Sequence, residues 1–205
     1  MKIILLNGSP RQECTYTALK IIADEIEKNG IETEIINIGK KPISGCIACG
    51  SCKSTGKCAI DDGVNDFIEK MKDADGLIVG TPVHYASASG AVTSFMDRAA
   101  FSGGKHLLYK PAAAVASCRR GGASVSLDQI NKYFGILNMP VVSSNYWNMV
   151  HGSCSEDVLK DEEGVQTMRI LGKNMSWMVK LIENGKKDGI IHPEPEQKIM
   201  TNYVR

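Results

Sequence analysis

Short apolar runs alternate along the chain with longer segments of helical spacing. The runs cover Lys2 to Leu6, Glu32 to Ile38, Gly76 to Gly80, Ala112 to Ser117 and Val141 to Val142, and the helical segments cover Thr15 to Asn29, Asp62 to Lys72, Ser89 to Ala100 and Ser124 to Leu137. Ile3-Ile4-Leu5-Leu6 and Leu77-Ile78-Val79 are apolar at every position, the pattern of strands covered on both faces. A β-α-β order of this kind predicts an α/β fold of three α/β/α layers around a five-stranded parallel sheet of order 2-1-3-4-5. Beyond the fifth strand, Val158, Met168, Leu171, Met175, Met178 and Leu181 recur at helical spacing, interrupted by Gly164 and Gly172. This predicts a C-terminal extension of one broken or two successive helices, whose apolar stripe packs on its own sheet or on another subunit. The tail from Ile190, with His192, Pro193 and Pro195, is predicted to run extended.

At 205 residues the chain fits one domain, residues 1–150 carrying the sheet and residues 151–205 the helix and tail of the same unit. Lys plus Arg number 24 against 23 Asp plus Glu, so nothing in the charge balance points to nucleic acid or to a membrane surface. The start, MKIILLNGSPRQ, has too short an apolar run for a signal peptide or a membrane span, which predicts a cytoplasmic protein. In that compartment the seven cysteines are read as thiols or metal ligands and not as a disulfide framework.

The segment from Asn7 to Thr17 joins the first strand to the first helix, where free N–H groups and the helix dipole favour an anion. Hydroxyls of Ser9, Thr15 and Thr17, the guanidinium of Arg11 and neighbouring Tyr16 are the candidates to surround it. With neither G-x-G-x-x-G nor G-x-x-x-x-G-K-[ST] present, a monoester phosphate such as that of FMN fits better than a diphosphate or triphosphate. The plainer alternative is that Thr15 or Thr17 caps the helix and Arg11 faces water.

Two further loops follow strands. In Thr81-Pro82-Val83-His84-Tyr85, Pro82 fixes φ after the third strand and leaves the N–H groups of Val83, His84 and Tyr85 for a ligand. In Ser117-Cys118-Arg119-Arg120-Gly121-Gly122 the glycines permit close backbone approach. Together with Gly8-Ser9-Pro10-Arg11, these motifs resemble the NADPH-dependent FMN reductase branch of the flavodoxin-like superfamily over roughly residues 1–150. The resemblance implies a flavodoxin-like fold, FMN as cofactor and NAD(P)H as co-substrate. It places the phosphate at Ser9, Arg11, Thr15, Tyr16 and Thr17. The flavin ring would lie along Pro82, Val83, His84 and Tyr85 and against Ser117, Cys118, Arg119, Gly121 and Gly122. Either Arg119 or Arg120 would meet negative charge on the reduced flavin or the extra phosphate of NADPH, while His84 and Tyr85 either touch ring or substrate or are simply a solvated and a packing side chain. The cofactor supplies the chemistry, and no catalytic side chain is assigned.

Between the second strand and second helix, within an insertion at 44–60, stands Cys46-x2-Cys49-x2-Cys52-x5-Cys58. Ferredoxin-type [4Fe–4S] segments share the first spacing, whereas zinc sites usually separate their cysteine pairs by a longer stretch. The run also resembles the compact motif of archaeal and bacterial iron–sulfur flavoproteins, which implies Cys46, Cys49, Cys52 and Cys58 as ligands of a [4Fe–4S] cluster. The alternative is four free thiols in a loop that packs on a neighbour or guards the flavin. Cys14, Cys118 and Cys154 are read as structural.

The functional expectation is an FMN-dependent oxidoreductase passing electrons from NAD(P)H to a quinone, a flavin or another small acceptor. The competing reading is an electron-transfer flavoprotein working with a ferredoxin-type protein, and a third is a non-catalytic thiol or metal sensor. A homodimer or homotetramer is expected, with Tyr146, Trp147 and Asn148 just beyond the last strand lining a shared pocket, unless Trp147 is a core residue.

Overall fold

A computed structural model of the protein describes residues 1–201; the last four residues of the expected tail lie outside the described residues. Strands β1 (Lys2–Asn7), β2 (Glu32–Asn37), β3 (Gly76–His84), β5 (Ala112–Cys118) and β6 (Met149–His151) pair in parallel in the order β2-β1-β3-β5-β6, and β4 (Ser87–Ala88) folds back antiparallel on β3. Counted over the parallel strands alone, this is the 2-1-3-4-5 order expected from the sequence.

The continuous apolar runs are explained by two cores, one on each face of the sheet. Ile4, Leu6, Leu77 and Val79 pack beneath α3 (Val64–Asp73), α4 (Gly90–Gly103) and α5 (Ala123–Ile136), joined by Phe67, Phe95 and Phe134. Ile3, Leu5, Ile78 and Val115 pack on the other face with Leu19 and Ile22 of α1 (Cys14–Lys28) and with Met168, Leu171 and Met175 of α7 (Glu162–Lys187). Successive strand residues point to opposite faces, so a strand covered twice has no polar position to spare.

Three expectations are corrected. The fifth parallel strand is Met149–His151, whereas Val141 forms only an isolated bridge to Ala112. Residues 143–148 loop away between them: Ser144 Oγ donates to Thr167 O at 2.7 Å and Asn148 Nδ2 to Ala114 O at 3.1 Å. Tyr146, Trp147 and Asn148 therefore precede the last strand instead of following it, and the two exposed rings meet edge-on at 4.6 Å. The helical extension breaks at Asp161, between α6 (Ser155–Lys160) and α7, because Asp161 Oδ1 caps α7 by accepting from Gly164 N at 3.0 Å. Gly172 interrupts nothing; a Cβ there would meet Glu25 Cβ at 2.9 Å and Ile22 O at 3.0 Å, so it is the residue that lets α7 close on α1. Finally, β3 continues four residues past Gly80, through Pro82, because β4 pairs with Val83 and His84.

Met168, Leu171, Met175 and Val179 are buried, so the stripe of α7 packs on the chain's own sheet, leaving Trp177 and Leu181 exposed. Residues 190–201 run without helix or strand, with His192 stacked on Tyr109 at 4.4 Å. No helix among the described residues is long and apolar enough to cross a membrane.

Candidate functional site

The carboxyl edge of the sheet gathers a cavity from loops that are far apart in sequence. Asn7 ends β1 fully buried; its Nδ2 donates to Arg11 O at 3.2 Å and Asn37 Oδ1 at 2.9 Å, and its Oδ1 accepts from Ser9 N at 3.2 Å. One amide thus fixes the loop that follows. Gly8 is required beside it: its N–H bonds Gly80 O at 2.8 Å, and a Cβ would stand 2.6 Å from that oxygen and 2.7 Å from Val92 Cβ. Thr15 Oγ1 and Ser117 Oγ, both buried, lie 2.7 Å apart and join the start of α1 to the end of β5. Glu13 at the cap position of α1 makes no side-chain cap and the first turn holds no acidic residue, so the helix start keeps uncapped N–H groups suited to an anion.

Ser9, Arg11 and Thr15 line this cavity together with Pro82, Val83 and His84. Ser117, Cys118 and Arg119 close it from the end of β5. Tyr16 and Thr17 lie half-buried on α1 outside it, Thr17 N bonded to Glu13 O at 2.8 Å. Tyr85 and Ala86 form the two-residue tip of the β3–β4 hairpin with φ of 48° and 62°, and the Tyr85 ring is fully exposed. Gly121 is exposed, while Gly122, at φ 90°, approaches the hairpin: a Cβ there would meet Ala86 Cα at 2.5 Å and Val83 Cγ1 at 2.8 Å. The lining residues that sequence reasoning missed are Glu13, Cys14, Gly152 and Ser153. Glu13 and Cys14 stood within the loop already singled out. Gly152 and Ser153 follow β6, and no signal marks them once the last strand is placed at Val141. Glu13 Oε2 accepts from Ser155 N and Oγ at 3.3 Å, which ties the loop to α6. Burial pushes the thiols of Cys14 and Cys118 up, which disfavours their thiolate forms.

The cysteine loop after β2 has a different build. It carries α2 (Ser51–Thr55) between two left-handed glycines, Gly50 and Gly56, with Cys46 and Cys49 exposed and Cys52 and Cys58 half-buried. All four thiols are free and line one concavity with Arg98 and Phe101. Among the described residues no three Cys, His, Asp or Glu side chains are gathered tightly enough to hold a single metal ion. Four thiols lining one concavity match the donor number of a [4Fe–4S] core, one thiolate for each iron.

Residues 1–153 match the family of NADPH-dependent FMN reductases. The chain belongs to this family. Within it the chain sits in the iron–sulfur flavoprotein branch: it is 38% identical over 192 residues to an iron–sulfur flavoprotein of Methanocaldococcus jannaschii, covering 89% of this chain and 100% of that one. An iron–sulfur flavoprotein of Methanosarcina thermophila is 30% identical over 197 residues, 91% of this chain and 99% of that one. Among solved structures, an archaeal flavodoxin shares the fold at a TM-score of 0.61 and 16% identity over 88% of this chain and 99% of that one. The NAD(P)H:acceptor oxidoreductase FerB of Paracoccus denitrificans shares it at 0.67 and 14% identity, over 88% and 97%. This FMN reductase family member is accordingly an FMN-dependent oxidoreductase.

Proposed function

We propose that this chain holds FMN at the carboxyl edge of β1, β3 and β5, and a [4Fe–4S] cluster on Cys46, Cys49, Cys52 and Cys58. It would connect NAD(P)H to an acceptor that takes electrons singly, a quinone, a flavin or a ferredoxin-type protein. When bound, FMN accepts two electrons as a hydride and can release them one at a time, and an iron–sulfur cluster carries one at a time. The protein's own role is to bind, orient and tune. Ser9, Arg11, Thr15 and the start of α1 supply donors for a monoester phosphate. Pro82, Val83 and His84 on one side and Ser117, Cys118 and Arg119 on the other form walls for the ring. Exposed Arg119 is a cation for the charge of reduced flavin or of the nicotinamide donor. A second copy of the chain is the cover we assign to the cavity's open side, with fully exposed Tyr85 next to the lining residue His84.

The observation that carries this reading is the gathering of four thiols from residues 46–58 around one concavity. The deciding experiment is anaerobic purification followed by a visible spectrum, iron and acid-labile sulfide assays, and reduction by NAD(P)H or by reduced ferredoxin. Cluster and flavin are expected together, and Cys49→Ala should lose the iron while retaining FMN. Protein without iron or sulfide that oxidises NAD(P)H readily would leave a simple flavin reductase and remove the cluster.

A further inference from the structure

Arg98 lies on α4 yet is only 2% exposed, an unusual place for a guanidinium unless something holds it. Its Nη1 donates to Cys58 Sγ and to Ile60 O, each at 3.4 Å, and its Nη2 pairs with Asp62. Even so, Arg98 Nε and Asp62 Oδ1 are both buried without a partner, so the pair leaves hydrogen-bonding capacity unused beside the thiols. Cys58 is also the best anchored of the four: Asn65 Oδ1 accepts from its N–H at 2.9 Å, Asn65 Nδ2 donates to its carbonyl at 3.0 Å, and it packs against the core. Cys46 and Cys49, by contrast, are exposed. The far end of the same helix belongs to the flavin side, where Ser89 caps α4 and its Oγ donates to Gly8 O at 3.1 Å. About 13.5 Å of helix axis separates that cap from Arg98.

We infer that Arg98 is a positioning residue for Cys58 as a cluster ligand, and that its buried charge eases the entry of an electron into the cluster. This rests on the cluster reading above. The step is a one-electron reduction in which no bond forms or breaks: one electron enters from reduced flavin, or from dithionite in the test below, and the site gains one negative charge. A donor on the ligand sulfur and a cation held in a low-dielectric setting both favour that extra charge. Asp62 opposes it, because its carboxylate neutralises some of the guanidinium charge.

The test compares the midpoint potential of the cluster, by anaerobic dithionite titration followed by electron paramagnetic resonance, in the parent protein and in Arg98→Met, Arg98→Lys and Asp62→Asn. Arg98→Met should reduce the ratio of reduced to oxidised cluster at a fixed potential about tenfold, a negative shift of about 59 mV for a one-electron couple. Asp62→Asn should move it the opposite way. Arg98→Lys, which keeps the charge without the fork, should lie near the parent in potential but release iron faster to a chelator. A merely structural role would loosen the loop in all variants without opposite shifts. If Arg98→Met fails to fold, Asp62→Asn and Arg98→Lys still decide: an unmoved potential in the first and parent-like iron retention in the second overturn the proposal. A parent with a full cluster whose potential ignores these changes sinks the role of Arg98 alone. A parent without iron and sulfide sinks the cluster reading and this inference with it.

Discussion

Two strands lie side by side in the sheet and each feeds a loop, but the two are held in different ways. In β1 every residue after Lys2 is buried, and the loop after it is fixed by Asn7, Gly8 and paired buried hydroxyls. No residue of β2 is buried; it is an edge strand, and most of residues 39–57 beyond it are exposed. The first loop is held by the protein's own hydrogen bonds, whereas the second is pinned at Ile43 and Cys58 and has little core between. Preorganisation suits a cofactor phosphate that must be bound in one pose. Under the proposed function the second loop would take its order from a bound cluster and need less packing of its own, since metal binding and folding are coupled.

The largest effect that would probe this contrast comes from one methyl group. Gly8→Ala forces a Cβ against Gly80 O and Val92. It should cost about 3 kcal/mol, roughly 10 °C in melting temperature, and abolish FMN binding. Gly56→Ala in the cysteine loop meets only its positive φ, with nothing within 4 Å, and should cost about 1 kcal/mol without touching FMN. Equal losses in the two variants, read by thermal denaturation, would erase the distinction between the loops.

A smaller effect is expected at Arg11, whose side chain is exposed and which the proposed function assigns to the phosphate. Arg11→Ala should weaken FMN about tenfold, about 1.4 kcal/mol, and leave riboflavin binding unchanged when both are titrated by flavin fluorescence. The melting temperature of the flavin-free protein should hardly move. A parallel loss for riboflavin would mean that Arg11 does not meet the phosphate.

The same contrast marks what could be read from the residues alone. β1, β3 and β5 were legible because burial on both faces leaves continuous apolar runs, and the loops after them because hydroxyls, proline and glycine cluster where strands end. β6 was not, since Met149–His151 has no apolar run and owes its place to pairing with residues 116–118. Val141-Val142 looks more like a strand than the strand does. Gly164 and Gly172 read as helix breakers, while the actual break needed the Asp161 carboxylate, a capping effect that glycine counting overlooks. The Arg98 pair with Cys58 and Asp62 spans 40 and 36 residues, and no local pattern could announce it. The sequence marks thiols by spacing, but only the fold brings a cation to one of them.

The smallest effect concerns the edge strand itself, where surface charges add to the partial burial of Ile35 and Ile36. Glu34 accepts hydrogen bonds from Lys2, at 2.8 Å, and from Lys70 across the strand. The Lys2 bond first, then the Lys70 bond, hold its carboxyl below the usual carboxylate range. A carboxyl depressed in the folded state contributes stability that is fully present above its unfolded value, near 4.5, and is lost as pH falls through the lower folded value. Glu34→Gln should therefore lower the melting temperature at pH 7 by no more than about 2 °C, because the group is only half-buried and the pairs are partly screened. The difference between parent and variant should shrink as pH drops below about 4.5 and also in high salt. Comparing the two proteins from pH 7 to pH 3 reads this out. A gap that persists at pH 3 would mean that Glu34 acts through packing and not through its charge.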